Sequence, residues 1–420
     1  VPGVDRPLRL ASPPLTRRPR RILYLHQHYS RPEGSTATRS FLHAGALAEA
    51  GHAVTLACGR YAGAATGLDG AFRHGARRGR PDGFDVVEFD IPCGNAQRLR
   101  ARGAAFLRYA ARASALALRG EWDLVLASST PLTVAIPALL ARRLRGTPFV
   151  FEIRDPWPEL PRAMAHGRIP RPLLGAMDRL ADAACREAAA VVALTEGMAR
   201  TATARGADPT RVHVLPQGAD LDLFGPHAAP WRPACATPDE MLVVYAGAHG
   251  AANGLDQLLD AASLLRGEGI RLLLVGEGAC KPALVARAAK EDLPVGFLDP
   301  LPKHRVAQLL AGADVALLCL AGVPDFAELS APNKLAEGLA AGRPVVANVP
   351  GRAARLLAEG RCGIAVPPGD PDALAAALRR LAHDPWTRRA MGRAARRVAE
   401  TRLDARRIAR DAVALVETVA

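Results

Sequence analysis

The chain has 55 basic side chains, yet only four are lysine: 281, 290, 303 and 334, all in the second half. None of the seven cysteines (58, 93, 185, 235, 280, 319, 362) stands in a Cys-x-x-Cys spacing. That argues against a zinc site or a disulfide framework, and for reduced thiols in the cytoplasm. No apolar run reaches the roughly 18–20 residues that a membrane span needs. Arg17-Arg18-Pro19-Arg20-Arg21 is basic, but Ile22-Leu23-Tyr24-Leu25 after it is too short for a signal-peptide core, so no leader is expected. No G-x-G-x-x-G follows the first strand pattern, which counts against a nicotinamide enzyme. No basic platform interleaved with aromatics and no zinc-finger spacing appears, so nucleic acid is not expected as a partner.

Charge of one sign is also scarce in the first half. Residues 1–222 carry 31 arginines against 20 carboxylates, a balance of +11, whereas residues 223–420 carry 24 basic and 21 acidic groups. A length of 420 residues allows two or three domains. Residues 1–19, rich in Pro and Arg, read as a flexible tail. Arg21 to Leu25 reads as a buried strand, Ser40 to Ala50 as a helix and Ala53 to Ala57 as the next strand. This βαβ unit predicts a doubly wound parallel sheet. The domain expected from it runs over 20–222, with a proline-rich linker at 223–240 and a second such domain at 241–403. A last helix, 404–420, follows. Within the first domain, 98–119 reads as a helix with six arginines and no acid, and with Leu99, Phe106, Leu107 and Tyr109 on an apolar side. Such a helix suits an anionic lipid surface, or alternatively packs on the sheet with its arginines in water.

The stretch Glu328 to Asn348 carries the chemistry. Ser330 suits a helix N-cap and Pro332 its first turn. Leu335 and Leu339 form an apolar stripe, Gly342 stops the helix, and Val345-Val346 reads as a buried strand. Lys334 and Glu337 share a face, and Glu328 lies in the loop before it. Two carboxylates thus bracket a helix N-terminus that favours an anion, a layout that fits a nucleotide sugar.

These residues resemble the donor-site signature of glycosyltransferase family 4, retaining enzymes with the GT-B fold. The matching positions are Glu328, Pro332, Lys334, Glu337 and Ala340-Ala341-Gly342-Arg343-Pro344-Val345-Val346. Eight residues separate the two glutamates, as in the subgroup that builds bacterial surface polysaccharides, including N-acetylfucosaminyl transferases. The resemblance implies an α/β protein with two Rossmann-like domains facing across a cleft. It implies that Glu337 holds the ribose, Glu328 the donor sugar, and Lys334 the phosphate charge, with Ser330 and Asn333 beside them.

Other segments fall in the family's order. Pro32-Glu33-Gly34 and Arg39 resemble its first loop, where Gly34 would let the backbone approach the donor and Arg39 would touch the acceptor. Arg154-Asp155-Pro156-Trp157-Pro158-Glu159 resembles its acceptor-side motif, which implies acceptor contacts for Arg154 and Glu159 and a catalytic place for Asp155; Arg162, Arg168 and Arg171 after it suit an acceptor diphosphate. Gly247 opens a glycine turn where most members carry an Arg and a Lys for the diphosphate; this chain has His249 and Asn253 instead. Glu277 and Lys281 follow the next strand and would border the nucleotide. No Asp-x-Asp motif follows a strand, so neither a metal nor any other cofactor is expected.

The function expected is transfer of a sugar, with retention, from a nucleotide sugar (UDP by the subgroup likeness) to a glycan or polyprenyl-linked acceptor, in surface-polysaccharide synthesis. The place expected is the cytoplasm, against the inner face of the membrane. The alternatives are a nucleotide-sugar epimerase on the same fold, or an inactive partner subunit of a membrane-bound polysaccharide complex.

Overall fold

A computed structural model describes residues 18–94, 97–164, 169–323 and 326–419. Nearly all of the expected tail, and Arg168, lie outside the described residues. Two sheets organise the rest. The first holds β1 Arg21–Leu25, β2 Ala53–Tyr61, β3 Ala76–Gly79, β4 Asp85–Cys93, β5 Leu124–Ser128, β6 Phe149–Ile153, β7 Ala190–Ala193 and β8 Val212–Val214, in the order β3-β4-β2-β1-β5-β6-β7-β8. All pairs are parallel except β3 with β4 at the edge. The second holds β9 Met241–Ala246, β10 Ile270–Val275, β11 Val295–Leu298, β12 Val315–Leu318, β13 Val345–Ala347 and β14 Gly363–Ala365, in the order β11-β10-β9-β12-β13-β14, all parallel. This is the pair of doubly wound sheets that the resemblance implied.

Each sheet is covered on both faces, so its central strands are mostly apolar, as buried parallel strands tend to be; Ser128 and Glu152 are buried exceptions. Leu124 to Ser128 and Phe149 to Ile153 are wholly buried in the first sheet, and Leu272 to Val275 in the second. In both sheets the order reverses beside the first strand, at β1/β5 and at β9/β12. Ligands bind at such switch points, outside the carboxyl ends of the strands.

The chain crosses between the two bodies twice. Ala219 donates its N–H to Leu403 O (2.9 Å), and Ala405 donates back to Ala219 O (3.0 Å). Gly218 is needed here, because a Cβ would lie 2.7 Å from Leu403 O. The helix Ala405–Val419 then packs on the helix Arg39–Glu49, with Val413, Leu415 and Val416 in the core of the first sheet.

The helix Leu99–Arg119 lies on the first sheet. Phe106 and Tyr109 are buried, whereas Leu107 is 62% exposed beside the exposed Arg108. Arg112 is partly used, donating to His74 O (3.1 Å), and Arg102 lies over the Phe106 ring.

Candidate active site

The facing ends of the sheets enclose a cleft of about 550 Å³. Its second-sheet wall is built from the stretch singled out in the sequence. The helix there is Asn333–Ala340, capped by Pro332 with no side-chain cap, so Ser330 does not cap it. Ser330 and Asn333 instead line the cleft. Gly342, at φ +69°, ends the helix in the left-handed conformation that favours glycine. Leu335 and Leu339 are buried and seat the helix on β12 and β13.

Lys334 crosses the glycine turn after β9. A Cβ on Gly247 would lie 2.0 Å from Lys334 Cε, so only glycine leaves the lysine this path. The Lys334 ammonium lies 5.0 Å from the centre of the Tyr245 ring and donates to Asn253 Oδ1 (3.3 Å). Burial lowers its pKa to about 8, although Glu337 acts in the opposite direction. A second glycine turn, after β10, packs against the first. A Cβ on Gly276 would lie 1.9 Å from Gly247 O. Glu277 lines the cleft and accepts from the Gly278 N–H (3.0 Å).

Three expected donor contacts lie elsewhere; Asn253 is buried and does not line the cleft, accepting from Lys334 instead. His249 is fully buried beneath the two turns, between Tyr245 and Phe297, and does not line the cleft. Its backbone ties the turns together, donating to Glu277 O and accepting from Cys280 N, each at 2.9 Å. Burial lowers its pKa to about 4, so the ring is neutral near pH 7. Lys281 turns inward to brace the second turn, donating to Gly276 O (2.9 Å), Leu298 O (3.1 Å) and Asp299 (2.6 Å).

Glu337 is 7% exposed at the floor of the cleft, and its Oε1 accepts from Lys303 Nζ at 2.5 Å. The sequence reading gave Lys303 no role. Its signal was rarity, as one of four lysines in a chain that otherwise uses arginine. Glu328 lies in a one-turn helix, Phe326–Leu329, rather than in a loop. Its carboxylate is held by Arg355 (2.9 and 3.1 Å) beside Gly351, and that pairing lowers its pKa. Its carbonyl accepts from Thr195 Oγ1 of the first body (2.9 Å). Glu328, expected to hold the donor sugar, does not line the cleft in this arrangement.

On the opposite wall, Arg154 and Asp155 follow β6 and line the cleft. Arg154 Nη1 lies 2.9 Å from His26 Nε2, and His26 Nδ1 lies 2.7 Å from Ser40 Oγ. Burial and Arg154 push the His26 pKa well below the ordinary histidine value, which leaves a neutral imidazole beside the guanidinium. Asp155 accepts from Thr130 Oγ1. His28 and Tyr61 also line this wall, with ring centroids 4.2 Å apart; neither was expected from the sequence.

Three first-body expectations are corrected. Arg39 is 4% exposed and points away from the cleft, donating to Glu152 (2.8 Å), Pro216 O (2.7 Å) and Leu215 O (3.0 Å). It ties the start of the interdomain crossing to the first sheet. Glu159 is engaged by Arg205 (2.5 and 2.9 Å), outside the cleft. Gly34 does not line the cleft; a Cβ there would lie 2.2 Å from Ser30 Oγ, and its carbonyl accepts from Lys303 N. Of the arginines expected to meet an acceptor diphosphate, Arg162 is paired with Asp178 (2.7 and 2.9 Å).

Two family models match, Glycosyl transferase 4-like domain over residues 34–218 and Glycosyl transferases group 1 over residues 240–384. The chain is 31% identical over 316 residues to the D-inositol 3-phosphate glycosyltransferase of Kribbella flavida, covering 71% of this chain and 72% of that one. It is 34% identical over 217 residues to the GDP-mannose-dependent alpha-(1-6)-phosphatidylinositol dimannoside mannosyltransferase of Mycobacterium tuberculosis, about half of each chain. In fold it is similar to sucrose-phosphate synthase from Thermosynechococcus elongatus (TM-score 0.73, 18% identity, 95% of this chain and 99% of that one). It is also similar to Anabaena HepE in complex with UDP-glucose (TM-score 0.65, 19% identity, 95% and 99%). Matched across both halves and along most of a curated relative, the chain belongs to family 4 of the group 1 glycosyltransferases and is a retaining enzyme that takes its sugar from a nucleotide donor.

Proposed function

We propose that the second-sheet wall binds a UDP-sugar and the first-sheet wall a glycan or polyprenyl-linked acceptor, in the synthesis of a surface polysaccharide. The observation that carries this is the pairing of Lys334 and Glu337 on one helix face, opposite Arg154 and Asp155 across one cleft. Glu337 accepts from the ribose hydroxyls. Lys334 meets the charge that grows on the departing diphosphate. Asp155 orients the acceptor hydroxyl, and Glu328 takes up the donor sugar once it leaves Arg355. Closure about the crossing at 215–219 and 403–405 brings the walls together and excludes water.

UDP is supported by the likeness to the N-acetylfucosaminyl subgroup, and Anabaena HepE, similar in fold, is seen in complex with UDP-glucose. The mycobacterial relative's name says GDP-mannose, so the nucleotide is tested directly. A second reading of the acceptor has its own support. Arg154 places a guanidinium on the acceptor wall, and the Kribbella relative is named for an inositol phosphate; both favour a phosphorylated acceptor. The helix Leu99–Arg119, with Leu107 and Arg108 outward, would place the first body on anionic lipid. No described helix is long and apolar enough to cross a membrane. Turnover assays with UDP- and GDP-sugars against neutral, lipid-linked and phosphorylated acceptors test the reading. Transfer from a UDP-sugar supports it; transfer from GDP-sugars alone overturns the UDP assignment.

A further inference from the structure

We propose that Lys303 is a positioning residue that couples recognition of the donor ribose to closure of the cleft; this rests on the reading that Glu337 holds the ribose. Two independent contacts meet at Lys303. The first is its side chain. Lys303 Nζ lies 2.5 Å from Glu337 Oε1, and the two side chains are only 10% and 9% exposed. The ammonium fixes the Glu337 carboxylate in one orientation, and a carboxylate has lone pairs to spare for a ribose diol.

The second contact is its backbone. Lys303 opens the helix Lys303–Gly312, whose N-cap, Pro302, supplies no side-chain acceptor. First-turn N–H groups have no partner within their own helix. The Lys303 N–H finds its acceptors on the other body, donating to Pro32 O (3.0 Å) and Gly34 O (3.2 Å) in the loop after β1. One residue therefore touches the ribose carboxylate through its side chain and the acceptor-side body through its backbone. When the bodies part, the N–H contact is lost, and the ammonium no longer has a fixed base from which to hold Glu337. Ribose binding and closure thus favour each other, a coupling that is reciprocal by linkage.

The test is calorimetric titration of the full chain with UDP and with 2′-deoxy-UDP, together with small-angle scattering before and after UDP. It uses Lys303→Met, Lys303→Gln, Lys303→Arg, Glu337→Gln and the Lys303→Met/Glu337→Gln pair. A charge-assisted hydrogen bond of this kind predicts that Lys303→Met weakens UDP by about 10–100-fold. The same variant should lose most of the preference for UDP over 2′-deoxy-UDP, and should no longer compact on UDP. Lys303→Arg should recover part of both effects. The double variant should bind no worse than Glu337→Gln, because the two residues act as one unit. If Lys303→Met is poorly folded by thermal melt, Lys303→Gln carries the same comparison. UDP affinity within twofold of wild type in a Lys303 variant, with preserved ribose preference and compaction, overturns the proposal while the ribose reading stands. Unchanged UDP affinity in Glu337→Gln overturns both.

Discussion

The two walls of the cleft spend their charge differently. Behind the first-sheet wall, charged groups neutralise one another, Arg39 with Glu152 and Glu159 with Arg205, and on the wall the Asp155 carboxylate accepts from the Thr130 hydroxyl. On the second-sheet wall the Lys334 ammonium contacts an amide oxygen and an aromatic face, with Gly247 packed close against its side chain. A lysine with which no described carboxylate forms an ion pair, close to backbone, suits a diphosphate. A wall that offers Arg154, held against the His26 ring, and Asp155 suits an acceptor that must be oriented more than charged. The difference teaches that burial and partners, more than residue type, separate a cation that binds substrate from one that holds the fold.

The largest expected effect lies at Lys334. Lys334→Ala should lower kcat/KM by about 10²–10³-fold, as loss of a preorganised donor does elsewhere. Gly247→Ala should act in the same direction with the lysine intact, because its Cβ takes the space of Lys334 Cε. Steady-state kinetics of the two variants check this. Equal loss in an Arg39 variant that remains folded would erase the contrast between the walls.

Arg39→Ala should instead act on stability, at about 3–5 kcal/mol, by leaving Glu152 buried without its cation. Thermal or urea unfolding reads it, and the folded fraction should keep its nucleotide affinity. Burial alone would raise the Glu152 pKa, but Arg39, His43 and Arg154 outweigh it and hold it at about 2. Its folded pKa lies below the ordinary value of 4.5, so its stabilising contribution is full above about pH 4.5. That contribution is lost as the pH falls toward about 2, and acid unfolding of Glu152→Gln should lack this component.

The smallest effect is a pH dependence. The Lys334 ammonium is present below about pH 8 and is lost above it. Nucleotide affinity should therefore fall as the pH rises from 7 to 9, by up to about tenfold per unit past the pKa. Bound diphosphate shifts the midpoint upward. Lys334→Arg should flatten the profile, because a guanidinium stays charged throughout.

The second-sheet wall was the more legible one for a local reason. Lys334 and Glu337 lie within one helical turn, and helix spacing alone puts them on a face. The strands β1, β2 and β13 were also readable, because buried parallel strands are short apolar runs between turn residues. The first-sheet wall is assembled from the ends of several strands, so neighbours in sequence part company in space. Asp155 faces the cleft while Glu159, four residues on, turns to Arg205. Arg39 looked like a ligand because it follows the first loop; its helix aims it at Glu152 and the crossing segment. Lys303 stayed hidden because its partner Glu337 is 34 residues away. The edge strand β3, antiparallel in an otherwise parallel sheet, carries an arginine-rich tetrapeptide with no apolar run to announce it.

The most direct measurement of the central claim, that the second-sheet wall is the nucleotide site, is calorimetric titration of the full chain with UDP, GDP, ADP and CMP, repeated on Glu337→Ala. The predicted result is selective binding of UDP, weakened about 10–100-fold in the variant, as loss of a charged hydrogen bond to ribose requires. Equal affinity in wild type and variant, or no binding of any nucleotide, would contradict the account.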